Sequence, residues 1–301
     1  MTDFLTLPEF GFLRAALLFT AAASVTFGLI GTFVVVRRIG YLAGAISHCA
    51  FGGIGIGFWL KEAAAAGLGG FGTAAALFAG KGEESAWLAR LSDRIDPVVT
   101  AILVAVGSAI LIGAIQKFAK EREDALIGIL WTLGMAVGLL FLDKTKRYVA
   151  VSDYLLGDVL LISKTDIVTI LILGAGVTAL TLLLFKRLEA VCFDEEFARL
   201  RGIHVDFYLA LLLFLIAISV VLTIRIVGMV LVIALLTIPA SIASRLTKRL
   251  GPTILYAIGF SFLGCWLGIG LSYFLNFSAG PMIVIVVALF YFIVLLISGK
   301  R

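Results

Sequence analysis

The sequence predicts an all-α polytopic membrane protein of about nine transmembrane helices plus a short re-entrant or interfacial helix, with the N-terminus outside and the C-terminus cytoplasmic. Three observations predict it. Of 301 residues, 62% are hydrophobic and only 14% charged, whereas soluble domains use roughly 45–50% apolar residues. The mean hydropathy is +1.16. The apolar residues also fall in runs that suit the about 20 residues a helix needs to cross a bilayer, and nine such helices use nearly every run.

The first run, near 11–36, follows Met1 to Glu9, which carries acids where a secretory signal carries Lys or Arg, so it is read as a retained span. Further spans lie near 39–60, 97–116, 125–142, 167–185, 207–224, 226–244, 254–275 and 281–298. Residues 61–96 form an external insert, in which a Gly/Ala-rich run at 63–80 precedes a charged amphipathic stretch; that run as a tenth span is the alternative. Tyr154 to Ser163 is apolar but too short to cross, which makes it the re-entrant or interfacial helix on the outer side. With no convincing repeat, 1–301 is one transmembrane domain.

Basic residues set the orientation. With the N-terminus outside, the cytoplasmic segments hold 14 Lys and Arg and the outer segments nine, with Arg14 left inside the first span. By these boundaries no span contains Asp, Glu or Lys, and Arg14 is near enough to an end to snorkel. Ion-gradient transporters need buried ionisable relays, and nucleotide binding needs a G-x-x-x-x-G-K-[ST] loop. The chain has neither, so any energy must come from a partner. Three cysteines, Cys49 and Cys265 in apolar runs and Cys192 in a charged loop, give no disulfide framework.

Two segments carry chemistry. The second span places His48 beside Cys49, about ten residues into apolar sequence, and these are the candidate metal contacts. Neighbours in a helix point about 100° apart, so one chain uses both poorly. The tract Gly52-Gly53-Ile54-Gly55-Ile56-Gly57 allows close helix approach. In the cytoplasmic loop 187–204, Asp194, Glu195 and Glu196 begin a short helix, Arg199 and Arg201 end it, and Gly202 stops it. His204 is read as a cap of that helix. A Ser47/His48 hydrolase is excluded, because adjacent residues on a helix cannot form the hydroxyl-to-imidazole bond, and no H-E-x-x-H pair exists.

Six segments in order resemble the permease subunits of the bacterial zinc/manganese/iron ABC importers, the ABC-3 type. They are Arg37-Arg38 with Ser47-His48; Arg122-Glu123-Asp124-Ala125-Leu126-Ile127-Gly128; Tyr154-Leu155-Leu156-Gly157-Asp158; Phe193-Asp194-Glu195-Glu196-Phe197-Ala198-Arg199; Gly228 to Pro239-Ala240; and Ser272-Tyr273 to Gly280-Pro281. They cover nearly the whole chain apart from 61–96. The resemblance implies that Phe193, Asp194, Glu195, Glu196, Phe197, Arg199 and Gly202 belong to a coupling helix that docks on an ABC ATPase. It also implies a homodimer or a pairing with a sister permease, an extracytoplasmic metal-binding protein, and a multi-pass location in the bacterial inner membrane.

Many members of that family carry an acid four residues before the histidine, on the same helical face. Here that position is Gly44. Losing a hard oxygen ligand favours zinc over manganese or iron, and two copies of His48 across a dimer axis could form the site, completed by water, Ser47 or carbonyl groups. The expected function is an ATP-driven importer permease for a divalent transition metal, with no catalysis of its own, no stably bound cofactor and no nucleic-acid partner. A permease for a metal chelate (haem, cobalamin or siderophore) and a passive metal channel are the alternatives. Asn276 with Asp153 and Asp158 could line an outer mouth, or the two acids could instead meet the binding protein.

Overall fold

The computed structural model describes residues 11–65, 96–118, 123–145, 151–157, 162 and 164–298. Residues 66–95 of the segment read at 61–96 as an external insert lie outside them, as do Arg122 and Asp158, while residues 61–65 continue α2. The described residues form twelve helices and no strand. They are α1 (Gly11–Val36), α2 (Gly40–Ala65), α3 (Pro97–Phe118), α4 (Glu123–Lys144), α5 (Val151–Leu156), α6 (Lys164–Leu183), α7 (Phe185–Phe193), α8 (Glu195–Leu200), α9 (Val205–Val227), α10 (Met229–Leu246), α11 (Leu250–Leu275) and α12 (Ala279–Ser298). Eight of these are long and apolar enough to span, and α6 with α7 makes a ninth if that pair, bent by 68°, is one broken span.

Local signals explain the boundaries. α3 begins with Pro97, whose fixed φ and missing N–H suit a first turn, and the Asp96 carboxylate accepts the Val98 N–H at 2.9 Å. α9 and α10 are separated by Gly228 alone, at φ 77°, a conformation that L side chains adopt at a cost. Sequence boundaries left Arg225 outside any span; α9 instead runs to Val227 and takes Arg225 into its last turn. α11 ends at Asn276 in the left-handed conformation, φ 56°, and the Ser272 hydroxyl donates to the Phe277 carbonyl at 2.6 Å. This helix-ending role accounts for Asn276 without a ligand.

Burial separates a centre from a rim. The apolar windows of α2 and α1 are 83% and 72% buried, whereas those of α3, α4 and α12 are below a third. α2 packs against α3 and α4 on one side and reaches α9 and α10, while α1 packs on α10, α11 and α6. Rim side chains such as Leu103, Ile129, Leu133, Leu289 and Ile293 stay exposed, as expected of surfaces solvated by lipid tails. Hydroxyls within the spans bond back to their own helices, among them Thr20 to Ala16, Thr32 to Gly28, Thr181 to Val177 and Ser219 to Leu215. This satisfies them where no water is present.

α5 begins at Val151 and overlaps the short segment read at 154–163 over residues 154–156. It docks where the chain has no side chains to obstruct it. A Cβ on Gly157, at φ 69°, would meet the backbone of Val227 and Gly228, and one on Gly280 would lie 3.2 Å from the Leu156 carbonyl carbon.

Candidate functional site

His48 sits on a stripe of α2 formed by Gly44, His48, Gly52 and Gly55, spaced four, four and three residues apart and therefore on one face. That face meets α4. A Cβ on Gly52 would lie 2.9 Å from the Gly134 carbonyl oxygen, one on Gly55 2.9 Å from the Gly138 Cα, and one on Gly134 2.7 Å from the His48 carbonyl oxygen. The adjacent face meets α3, where Cβ atoms on Gly53 and Gly57 would lie 2.7 Å from the Cα atoms of Ala101 and Pro97. The glycine tract read from the sequence as a close-approach surface thus seats α2 against two helices at once.

The imidazole of His48 lies against the Trp131 ring of α4, with centroids 4.5 Å apart and planes 32° from parallel. His48 is 8% exposed, and its Nδ1 has no hydrogen-bond partner among the described residues. A buried, unpaired donor or acceptor costs about 1–3 kcal/mol, so this nitrogen is held where no protein group compensates it. Gly44, where the family resemblance leads one to expect an acid, faces the same ring. A Cβ there would lie 2.6 Å from Trp131 Cη2 and closer still to Cζ3. The missing carboxylate and the tryptophan are therefore one feature, since the ring occupies the space that a side chain at 44 would need.

Cys49 is also buried, and its Sγ donates to the Leu130 carbonyl at 3.5 Å. The Ser47 hydroxyl donates to the Ala43 carbonyl at 2.8 Å and is fully buried, so it is spent on its own helix. The structure brings His48 next to an aromatic ring and leaves Cys49 and Ser47 committed to backbone. Among the described residues no three His, Cys, Asp or Glu side chains converge on one point. Trp131 was not singled out in the sequence; the one signal for it was a glycine at the position before His48 where a ligand was expected.

The segment read from the resemblance as a coupling loop is two short helices rather than one. After the 68° bend, α7 buries Leu188, Val191 and Cys192 and turns Lys186, Arg187 and Glu189 outward. Burial pushes the Cys192 thiol up to about 11, the nearby Arg37 opposing this and Glu195 adding to it. Asp194 breaks the helix with extended backbone and caps α8, its carboxylate accepting the Phe197 N–H at 2.9 Å. Glu195 and Glu196 lie in the first turn and Arg199 in the last, matching the helix dipole. Gly202, at φ 76°, ends it. His204 does not cap α8; it stands at the N-cap of α9 with no side-chain cap bond, and its carbonyl accepts from Phe207 and Tyr208.

This pair of helices is tied to the bundle and open outward. Arg37 pairs with Glu195, Arg199 with Asp206 at 3.2 Å, and Arg187 donates to the Tyr208 hydroxyl at 2.7 Å. Ala198 is fully buried, yet Phe193, Phe197 and Leu200 are 60%, 46% and 87% exposed. Phe197 and Leu200, three residues apart, share one side of α8, and Phe193 stands just before the Asp194 break; the Arg201 guanidinium lies 4.5 Å above the Phe197 ring. An apolar patch framed by charges is the anatomy of a docking surface. Beside it, a cleft of about 690 Å³ opens between α3 and α9, with Arg37, Glu195, Arg199 and Asp206 at one end and Val106, Ile110 and Phe214 on its walls.

The sequence matches the profile of the ABC 3 transport family over residues 9–88 and 88–298. A probable metal transport system membrane protein of Chlamydia trachomatis is 30% identical, the match covering 94% of this chain and 88% of that one. The manganese transport system membrane protein MntC of Listeria innocua is 26% identical, over 98% of this chain and 94% of its own. Among solved structures, PsaBC from Streptococcus pneumoniae in complex with Fab superposes with a TM-score of 0.78 at 26% identity, covering 98% of this chain and 94% of that one.

Proposed function

The chain belongs to the ABC 3 transport family, and from that premise we propose that it is the permease subunit of an ATP-driven importer for a divalent transition metal ion. The observation that carries the reading is the α7–α8 pair, whose exposed Phe193, Phe197 and Leu200 make an apolar patch on an otherwise charged segment. A passive channel has no use for such a patch. An ATPase that must push on the permease needs one. The basic-residue asymmetry supports a cytoplasmic position for this end, with α5 and Asn276 at the outer end, where an external metal-binding protein would deliver the ion. A second copy of the chain, or a sister permease, completes the path in this reading.

His48 is the proposed metal contact, supported by its buried, unpartnered Nδ1. Cys49 is the weaker candidate because its thiol already serves the Leu130 carbonyl. The related transport proteins are named for manganese or for metal in general. The replacement of a carboxylate position by Gly44 under Trp131 argues for a borderline, nitrogen-accepting cation, and so for zinc. The same gap in the ligand set supports a second reading, a permease for a metal chelate, whose path needs no protein ligand.

The test is uptake by proteoliposomes holding the permease with its ATPase and supplied with its binding protein, using zinc, manganese and iron in separate runs. Uptake that requires ATP and the ATPase is expected. Equal flux without ATP would make the protein a channel.

A further inference from the structure

α8 has six residues, too few to keep its own place, and its position is set by what it is tied to. The Arg199–Asp206 pair is local, seven residues apart, with side chains 60% and 50% exposed, so it adds little. The Arg37–Glu195 pair differs. It joins residues 158 apart in sequence, with side chains 24% and 35% exposed, and it links α8 to the corner between α1 and α2.

That corner is built to move as one piece. Arg38 adopts the left-handed conformation, φ 60°, uncommon for a residue with a side chain. The N–H groups of Arg37, Arg38 and Ile39 return to the carbonyls of Phe33, Val35 and Val34. One turn earlier, Phe33 packs edge-on against Phe185 of α7, centroids 6.0 Å apart. α2 starts at Gly40, and His48 follows eight residues later, about 12 Å along the axis at 1.5 Å per residue. α2 is the most buried span; between the two Gly44 faces the Trp131 ring of α4, and at His48 itself the α2 backbone meets Gly134 of α4, where an added Cβ would lie 2.7 Å from the His48 carbonyl oxygen. Backbone-to-backbone packing has no side-chain slack in which a displacement could be lost. The ion pair also lines the cleft between α3 and α9, so α8 has space to move.

We propose that Arg37 is a coupling residue: its ion pair with Glu195 carries the movement of α8 into α2 and thereby to the His48–Trp131 contact. The metal path then responds to the ATPase through one charge pair at the α1–α2 corner, and breaking it from the Arg37 side, outside the docking helix, leaves docking and ATP hydrolysis intact while separating both from transport. This rests on the permease reading above.

The experiment reconstitutes the permease with its ATPase and binding protein and measures metal imported per ATP hydrolysed for wild type, Arg37→Glu, Glu195→Arg and the two together, with zinc and manganese in separate runs. Each single reversal is expected to lower the ratio at least about tenfold, Arg37→Glu with the ATPase still co-purifying, and the exchanged pair to restore it to within about threefold. Arg37→Gln and Glu195→Gln serve if a reversal does not fold, and each is expected to lower the ratio by several-fold. Singles that keep the wild-type ratio, or an exchanged pair no better than either single, overturn the proposal. ATP-dependent import by the wild type tests the permease reading separately, so the two can fail independently.

Discussion

Replacing Gly44 with alanine gives a perturbation whose sign depends on one side chain. The added Cβ would sit 2.6 Å from Trp131 Cη2 and closer still to Cζ3, so it must retreat by more than about 0.9 Å to reach an ordinary carbon contact of about 3.5 Å. Overpacking of this kind costs about 1–3 kcal/mol, while exchanging glycine for alanine inside a helix returns up to about 1 kcal/mol. The expected net loss is about 1–2 kcal/mol. In a Trp131→Leu background the far ring is gone, so the same substitution should be neutral or stabilising by up to about 1 kcal/mol, a coupling of about 2 kcal/mol between the two sites. Gly134→Ala is the control, because its Cβ would lie 2.7 Å from the His48 carbonyl oxygen. That clash is with backbone, so Trp131→Leu should not relieve it. Unfolding in mixed micelles, followed by circular dichroism, reads all of these. If Gly44→Ala costs the same with and without Trp131, the ring does not fill the space beside Gly44, and the account of the missing carboxylate is wrong.

Three other outcomes follow from the geometry of the α7–α8 pair. Phe197→Ala with Leu200→Ala should leave the permease as stable as wild type, since both side chains project outward, yet weaken ATPase binding at least about tenfold in a pull-down titration; unchanged binding would move the docking face elsewhere. Asp194→Ala removes the cap on α8, about 1 kcal/mol, and should speed amide exchange in α8, with Asp194→Asn largely restoring protection. The Cys192 thiol, raised from 9.0 to about 11, should resist maleimide at pH 7.5 in the folded protein and react after denaturation. Because the folded chain holds that proton more tightly than the unfolded one, this site's contribution to stability is complete below about pH 9 and is lost between about pH 9 and 11; a Cys192→Ala variant should lose less stability over that window, as read by unfolding midpoints.

Most of the fold was legible because a bilayer imposes length and apolarity on each span, and those survive without knowledge of packing. The α8 cap and dipole residues were legible for a similar reason: Asp194, Glu195, Arg199 and Gly202 act within one short helix. What could not be read were long-range partners. Nothing local to Arg37 points to Glu195, and nothing in Gly44 points to Trp131, because both pairings depend on how α2 lies against distant elements. Asn276 was read by its polarity alone, and its left-handed conformation at the end of α11 is a backbone role that polarity does not announce. The 68° bend after Leu183 went unseen because the apolar run continues to Phe185 with no glycine or proline to mark it.

Passage of metal at His48 is tested most directly by the initial rate of ATP-dependent metal uptake by His48→Ala at matched ATP hydrolysis. At least about a tenfold fall in uptake is expected, with ATPase binding and hydrolysis retained. Uptake at the wild-type rate would contradict it, removing His48 from the path and leaving transport of an already liganded metal as the better reading.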